Sequence, residues 1–227
     1  MIAAVVMAAG LGTRLRPLTE RYAKAVLPVD GKPVVAQLLR DLAAAGCPRV
    51  TVVVGHLGEQ VQRLLGDGSA FGVALRYVSQ PQPDGSADAV RRAEEEPPYL
   101  VLAADTVFPS GAIGSFAESF AGGAASAGAI AVRRQPQRLP VRVREGFVER
   151  VLDRAGPGQL SGAPLWAVGA PVHERLCLDH RPWELGNAFQ AAIDAGEQIA
   201  ALEIGPTRDL TATLDVLEEN FPYLSSL

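Results

Sequence analysis

Two glycines and an arginine set the first chemical expectation. The segment Gly10-Leu11-Gly12-Thr13-Arg14-Leu15-Arg16-Pro17-Leu18-Thr19 follows directly on the apolar run Ile2-Ala3-Ala4-Val5-Val6-Met7-Ala8-Ala9. Glycines lack a Cβ, so the backbone can approach a ligand closely and its N–H groups can converge on phosphate oxygens. Arg14 can fork onto a phosphate, and Lys24 adds a point charge a little further on. Spacing excludes two common phosphate loops: a dinucleotide fingerprint requires a third Gly where Leu15 stands, and a P-loop ends in Gly-Lys-Ser/Thr. A plain strand-to-helix turn is the alternative, and Thr13-Arg14 with the later Lys24 weigh against it.

Two further residues extend this to a nucleotide. Asp105 ends the apolar run Tyr99-Leu100-Val101-Leu102-Ala103-Ala104. That is the carboxyl end of a strand, where open α/β sheets bind ligands. Mg2+ takes one or two carboxylates together with substrate phosphates and waters, so Asp105 is a candidate ligand. Gln80 precedes the loop Pro81 to Gly85. Its amide can both donate and accept, as the edge of uracil or thymine requires; a capping or solvated Gln is the plain alternative.

The elements that must position these residues are legible as alternating apolar runs and amphipathic stretches. Ile2 to Met7, Val50 to Val54, Ala74 to Val78 and Leu100 to Ala104 read as buried strands. Between them, Val34, Val35, Leu38, Leu39 and Leu42 form one helical face with Pro33 in the first turn and a stop at Gly46 and Pro48. Gly58 to Leu65 and Ala87 to Glu96 are further helices. Repeated strand-helix-strand order predicts an α/β fold, Rossmann-like, with a mixed, mostly parallel sheet and helices on both faces. After Asp105 the pattern loosens into a Gly/Ala-rich stretch with a strand ending at Val132. Val141 to Arg144 and Phe147 to Leu152 then flank Glu145-Gly146 as a hairpin. Leu165 to Val168 and Ile199 to Glu203 are strands, and Leu185 to Ala195 and Thr213 to Glu219 helices. One domain spanning 1–227 is expected, with a nucleotide-binding half to residue 110 and an acceptor-binding half after it.

Nearly half of the 227 residues are hydrophobic, enough for a sizeable core, and the formal charge of −4 gives no basic footprint for nucleic acid or an anionic membrane. The apolar start lacks a basic leader and reads as a strand rather than a signal peptide. Cys47 and Cys177 have no metal-type spacing, and a cytoplasmic setting is expected. His56, His173 and His180 lack acidic or cysteine company at ligand spacing and read as structural or solvated. Asp84 and Asp88 read as turn and cap residues.

These motifs together resemble the sugar-phosphate nucleotidyltransferases, the family of glucose-1-phosphate thymidylyltransferase and its uridylyl- and adenylyl-transferring relatives. The resemblance rests on Gly10 to Thr19, Ala23-Lys24, Leu27-Pro28-Val29, Val54-Gly55-His56, Tyr77-Val78-Ser79-Gln80 and Gly85-Ser86-Ala87-Asp88-Ala89. Ala23 stands where the family usually has Pro. It implies nucleotide contacts from Ala8, Ala9, Gly10, Gly12 and Thr13 in the loop, with Gln80, Gly85 and Ser86 around the base. Arg14, Lys24 and Asp105 become the catalytic set. Asp209, in a segment similar to the family's Asp-x-x-Thr-Pro-x-Asp, becomes a second Mg2+ ligand beside Asp105, although Ala212 and Thr213 depart from that pattern. Asp215 reads as a helix-surface residue. Asp153-Arg154-Ala155 takes the place of Glu-Lys-Pro, implying acceptor contacts from Asp153 and Arg154. Trp166 could stack on the acceptor or fill the core.

The implied reaction joins a nucleoside triphosphate, UTP or dTTP by the tilt of Gln80, to a sugar 1-phosphate with release of pyrophosphate, in a protein that could form a homo-oligomer. A sugar-nucleotide glycosyltransferase would want Asp-x-Asp, and Asp105-Thr106-Val107 stops short of it. A nucleotide-binding regulatory module would have no need of Arg14, Lys24 and Asp105 together. A GTP- or CTP-using enzyme acting on a cyclitol or other non-sugar phosphate stays open.

Overall fold

The structure, a computed structural model, describes residues 1–123, 125–135, 140–151, 160–176 and 181–221. The chain opens with β1 (Ala3–Ala8), three short 3-10 turns and a small hairpin of β2 (Pro28–Val29) and β3 (Lys32–Pro33). It continues through α1 (Val34–Ala44), β4 (Arg49–Val54), α2 (Gly58–Leu65), β5 (Ala74–Ser79), α3 (Ser86–Arg92), β6 (Tyr99–Ala103), β7 (Thr106–Val107) and α4 (Ala112–Gly122). The second half holds β8 (Gly128–Arg133), β9 (Val141–Arg144), β10 (Phe147–Val151), β11 (Ser161–Val168), α5 (Ala170–His173), α6 (Leu185–Asp194), β12 (Ile199–Glu203), β13 (Arg208–Asp209) and α7 (Thr213–Asn220).

Nine strands form one mixed sheet in the order β5-β4-β1-β6-β11-β8-β12-β10-β9. The first four are mutually parallel, as their helical crossovers require. β11 then inserts antiparallel to both β6 and β8, while β12 returns parallel to β8. The β9–β10 hairpin closes the far edge, turning on Glu145 at φ 51 and Gly146 at φ 82, the paired positive dihedrals of a two-residue turn that suits strand twist.

Pleating divides the core. Ala4, Val6 and Ala8 of β1 pack with Leu38, Leu39 and Leu42 of α1, Val61 of α2, and Ile113 and Phe116 of α4. Ala3 and Val5 face the other way, onto Val90 of α3, Val172 of α5 and Phe189 of α6. Both sheet faces are therefore covered, which explains why β1, β4 and β6 read as nearly continuous apolar runs rather than alternations, while the edge strand β5 stays partly exposed. A third cluster of Leu15, Leu27, Val29, Val34 and Leu210 lies beneath the glycine loop. Each of these buried aliphatic side chains contributes about 1.5–3 kcal/mol through burial. α4 fell outside the expected elements, and α3 ends at Arg92, before Glu94 takes a positive φ of 47. No helix among the described residues is long and apolar enough to cross a membrane.

Candidate active site

Because β1, β4, β5 and β6 run parallel, their carboxyl ends lie along one edge of the sheet and deliver the Gly10–Thr19 loop, Gly55, Gln80 and Asp105 to the same side. A cleft of about 360 Å3 opens there. Every residue expected to touch the nucleotide lines it: Ala8, Ala9, Gly10, Gly12, Thr13 and Arg14 from the loop, then Lys24, Gln80, Gly85 and Ser86. Asp105 lines it as well.

The glycine loop is anchored from below and open above. Leu15 is fully buried in the third cluster. Gly12 sits at φ 62, its carbonyl accepting from the Leu15 N–H at 2.8 Å and from the Thr19 hydroxyl at 2.8 Å. A Cβ at Gly12 would meet Thr19 Cγ2 at 2.8 Å, so both backbone conformation and space call for glycine. A Cβ at Gly10 would meet nothing within 4 Å, consistent with its place on the cleft wall. His56 Nε2 bonds the Thr19 carbonyl at 2.9 Å, a brace for the loop and hence a structural role. His173 similarly meets the Tyr99 hydroxyl at 2.9 Å, where burial pushes that phenol far above its ordinary range. His180 and Cys177 lie outside the described residues; Cys47 is a buried thiol whose pKa burial raises.

The two cations differ in state. Arg14 is exposed and makes no hydrogen bond or ion pair with any described residue, so its fork is available to an anion. Lys24 forms an ion pair with Asp105, both side chains being about a fifth to a quarter exposed (20% and 24%). Asp105 itself is fixed by its neighbours: the Ala104 N–H donates to the Met7 carbonyl at 3.1 Å, and the Asp105 carbonyl accepts from the Leu210 N–H at 3.0 Å.

That last bond continues the β7–β13 ladder, which sets Asp209 opposite Thr106 and so beside Asp105 along the backbone. The Asp209 carboxylate, however, accepts from the buried Arg133 at 2.9 Å and from the Thr207 hydroxyl at 2.9 Å, and Asp209 is not among the residues lining the cleft. Among the described residues no group of three or more His, Cys, Asp and Glu gathers to hold a metal unaided. The partly exposed Asp105 carboxylate nevertheless fits Mg2+, which takes most of its remaining ligands from phosphates and water. Asp215 accepts from the Ala212 N–H at 2.8 Å and so caps α7. Trp166 in β11 is half-buried against the second core cluster and does not line this cleft. Asp153 and Arg154 lie outside the described residues.

Sequence reasoning missed the part that three residues play at or beside the site. Glu184 and Thr211 line the cleft. Glu184 reaches it by accepting from the Ser86 hydroxyl, a partner 98 positions away in the chain. Asp88, expected as a cap, is instead wholly buried and bonded to Gln80, Arg91 and Arg92. The signal was its spacing, with arginines three and four positions along one helix.

Comparison with known proteins agrees with this geometry. A family model described as nucleotidyl transferase matches residues 3–141, more than half of the chain. Glucose-1-phosphate thymidylyltransferase of Streptomyces antibioticus is 30% identical over 240 residues, covering 99% of this chain and 67% of its own. CMP-5'-(3-aminopropyl)phosphonate synthase of Streptomyces rubellomurinus is 37% identical over 153 residues, 66% of this chain and 23% of its own. A UDP-glucose pyrophosphorylase solved with UDP-glucose superposes with a TM-score of 0.82 at 17% identity, covering 100% of both chains, a likeness of fold. Against three of its curated relatives the chain spans 64%, 64% and 67% of their length, about two thirds. Sheet, glycine loop and matched residues lead to one assignment: the chain belongs to the nucleotidyl transferase family.

Proposed function

We propose that the protein transfers a nucleoside monophosphate from UTP or dTTP to a sugar 1-phosphate, releasing pyrophosphate, with Mg2+ bound at Asp105. The observation that carries this reading is the convergence of Gly10, Gly12, Arg14, Lys24, Gln80 and Asp105 on one cleft. An acceptor phosphate oxygen attacks the α-phosphorus in line. The new P–O bond forms as the bond to the β-phosphate bridging oxygen breaks, and pyrophosphate leaves with that electron pair. The nucleophile is already ionised near pH 7, so no general base or protein nucleophile is required. Catalysis reduces to holding two mutually repelling anions in line and neutralising charge as it develops.

The loop N–H groups and Arg14 hold the triphosphate, and Lys24 neutralises charge beside the reacting phosphate. Bound Mg2+ would supply Lewis-acid neutralisation of the same phosphates. Asp105 would hold it while sharing Lys24, and Asp209 would have to turn part of its carboxylate from Arg133 and Thr207 to join. Asp153 and Arg154 are proposed for the acceptor.

A second reading, transfer of CMP to a non-sugar phosphate or phosphonate, draws on the similarity to the Streptomyces rubellomurinus synthase. One experiment separates them: a pyrophosphate-release screen crossing UTP, dTTP, CTP, GTP and ATP with phosphorylated sugars, cyclitols and a phosphonate. Turnover with UTP or dTTP and a hexose 1-phosphate supports the first reading. Turnover restricted to CTP, or none with any sugar phosphate, removes it.

A further inference from the structure

We infer that Asp88 is a specificity-determining positioning residue that locks the Gln80 amide with its carbonyl toward the base, so that the pocket selects uracil or thymine over cytosine. The inference rests on the nucleotide reading above and adds to it how the base is chosen. The Gln80 side-chain NH2 donates to Asp88 Oδ2 at 2.9 Å and to the Gly85 carbonyl at 3.0 Å, which uses both of its protons. Both partners are acceptors, and a flipped amide would set oxygen against two oxygens, so the orientation is chemically fixed. The Gln80 carbonyl oxygen has no partner among the described residues, and Gln80 lines the cleft.

Asp88 can act as a lock because it is itself held. It is wholly buried on α3, one turn from Arg91 and Arg92, which donate to its two oxygens at 3.0 and 2.6 Å. Burial alone would push its carboxyl up, but the hydrogen bonds from Arg92, Gln80 and Arg91 outweigh that and keep it below the usual carboxylate range. A carboxylate that stays ionised cannot donate, and so never offers the Gln80 carbonyl a reason to turn inward.

The second half of the reader is Gly85. Its N–H makes no hydrogen bond among the described residues, and it lines the same cleft. Its φ of 114 and the Trp183 backbone, 2.3 Å from where a Cβ would stand, require glycine there. The pocket therefore offers one acceptor, Gln80 Oε1, and one donor, the Gly85 N–H. Uracil and thymine present the complement, an N3–H donor beside the O4 acceptor. Cytosine in the same pose presents the inverse, an N3 acceptor beside an N4 amino donor, and both contacts become repulsive.

The test is binding of UTP, dTTP and CTP, with inorganic triphosphate as a base-free probe, measured by calorimetry in magnesium buffer on wild type and Asp88→Asn. Asn can donate as well as accept, so it releases the lock. Wild type should prefer UTP to CTP by about a hundredfold, the effect of two mismatched hydrogen bonds. In Asp88→Asn this ratio should fall to less than about tenfold while inorganic triphosphate binds as before; an unchanged ratio would overturn the lock. Should the variant not fold, the wild type gives an independent answer through the Gln80 side-chain 15N–H2 signals, assigned by their loss in Gln80→Ala. Both protons should exchange slowly and stay bonded when UTP is added, whereas rapid exchange or amide flipping would overturn the inference. If wild type bound inorganic triphosphate but no nucleotide better than it, the nucleotide reading would fail first, and that outcome is distinct from an unchanged ratio.

Discussion

At the scale of single residues, Lys24 and Asp105 are paired with each other, and this contact governs what their removal should do. Their pairing is partly solvated, which keeps its own contribution to stability small, on the order of 1 kcal/mol or less. Asp105→Asn is therefore expected to melt close to wild type yet to lose turnover in magnesium, measured by pyrophosphate release; a folded Asp105→Asn protein of full activity would remove Asp105 from the reaction. Lys24→Ala should lower kcat/KM by a factor corresponding to roughly 2–4 kcal/mol, because a charged contact to phosphate in a dehydrated site is stronger than one in water. An unchanged kcat/KM would show that Lys24 serves only its ion pair. Arg14 differs from both, being without a protein partner among the described residues, so it could take an anion without first breaking a contact.

Elements determine whether these residues meet. Four parallel strands bring Gly10, Gln80 and Asp105 to one edge, and they were readable because β1, β4 and β6 are mainly apolar and β5, though it carries Arg76, keeps Leu75, Tyr77 and Val78 before Gln80. α4 escaped because AIGSFAESFAG mixes Gly114, Gly122 and Ser with its apolar positions, although Ile113, Phe116, Ala117 and Phe120 keep a helical period and are buried. Weak propensity was overridden by packing against the sheet. The contacts of the site that stayed hidden are those made across the chain: Glu184 to Ser86, Arg133 to Asp209, and the α3 residue Asp88 to Gln80. No local pattern encodes such pairs. α3 also yields a prediction about acid stability. The Asp88 carboxyl titrates below its ordinary value of about 3.9 when folded, so it contributes stability that is fully present above that value and is lost as pH falls through the lower folded value. Urea midpoints measured from pH 7 down to pH 2 should show that loss in wild type and a shallower one in Asp88→Asn. Parallel curves would mean that Arg91 and Arg92 do not hold the group as their geometry indicates.

At the scale of the whole molecule, we propose that recognition is divided between two regions of one sheet. The family match ends at residue 141, and the strands up to β6 carry the cleft loops, whereas β9 and β10 lie at the opposite edge, just before Asp153 and Arg154 in the chain. A nucleotide bound over the parallel strands and an acceptor bound toward the antiparallel ones would meet above β6, where Asp105 stands. If recognition is divided in this way, the two substrates should respond to different substitutions. Arg154→Ala is expected to raise the KM for the acceptor about tenfold or more, the loss of one charge-assisted phosphate contact, while the KM for the nucleotide stays within about twofold. Gln80→Ala should do the reverse, weakening UTP and sparing the acceptor. Steady-state titrations of each substrate against saturating amounts of the other, on wild type and both variants, read this directly. Arg154 is the proposed acceptor cation because a guanidinium can bind phosphate bidentately, where the family's Lys acts as a point charge; Asp153, one methylene shorter than Glu, should then favour an acceptor differing from glucose 1-phosphate in its hydroxyl pattern. Equal effects of Arg154→Ala on both KM values would place that cation on the triphosphate instead, and a wild-type optimum on glucose 1-phosphate would show that the shorter carboxylate is accommodated without a change of substrate.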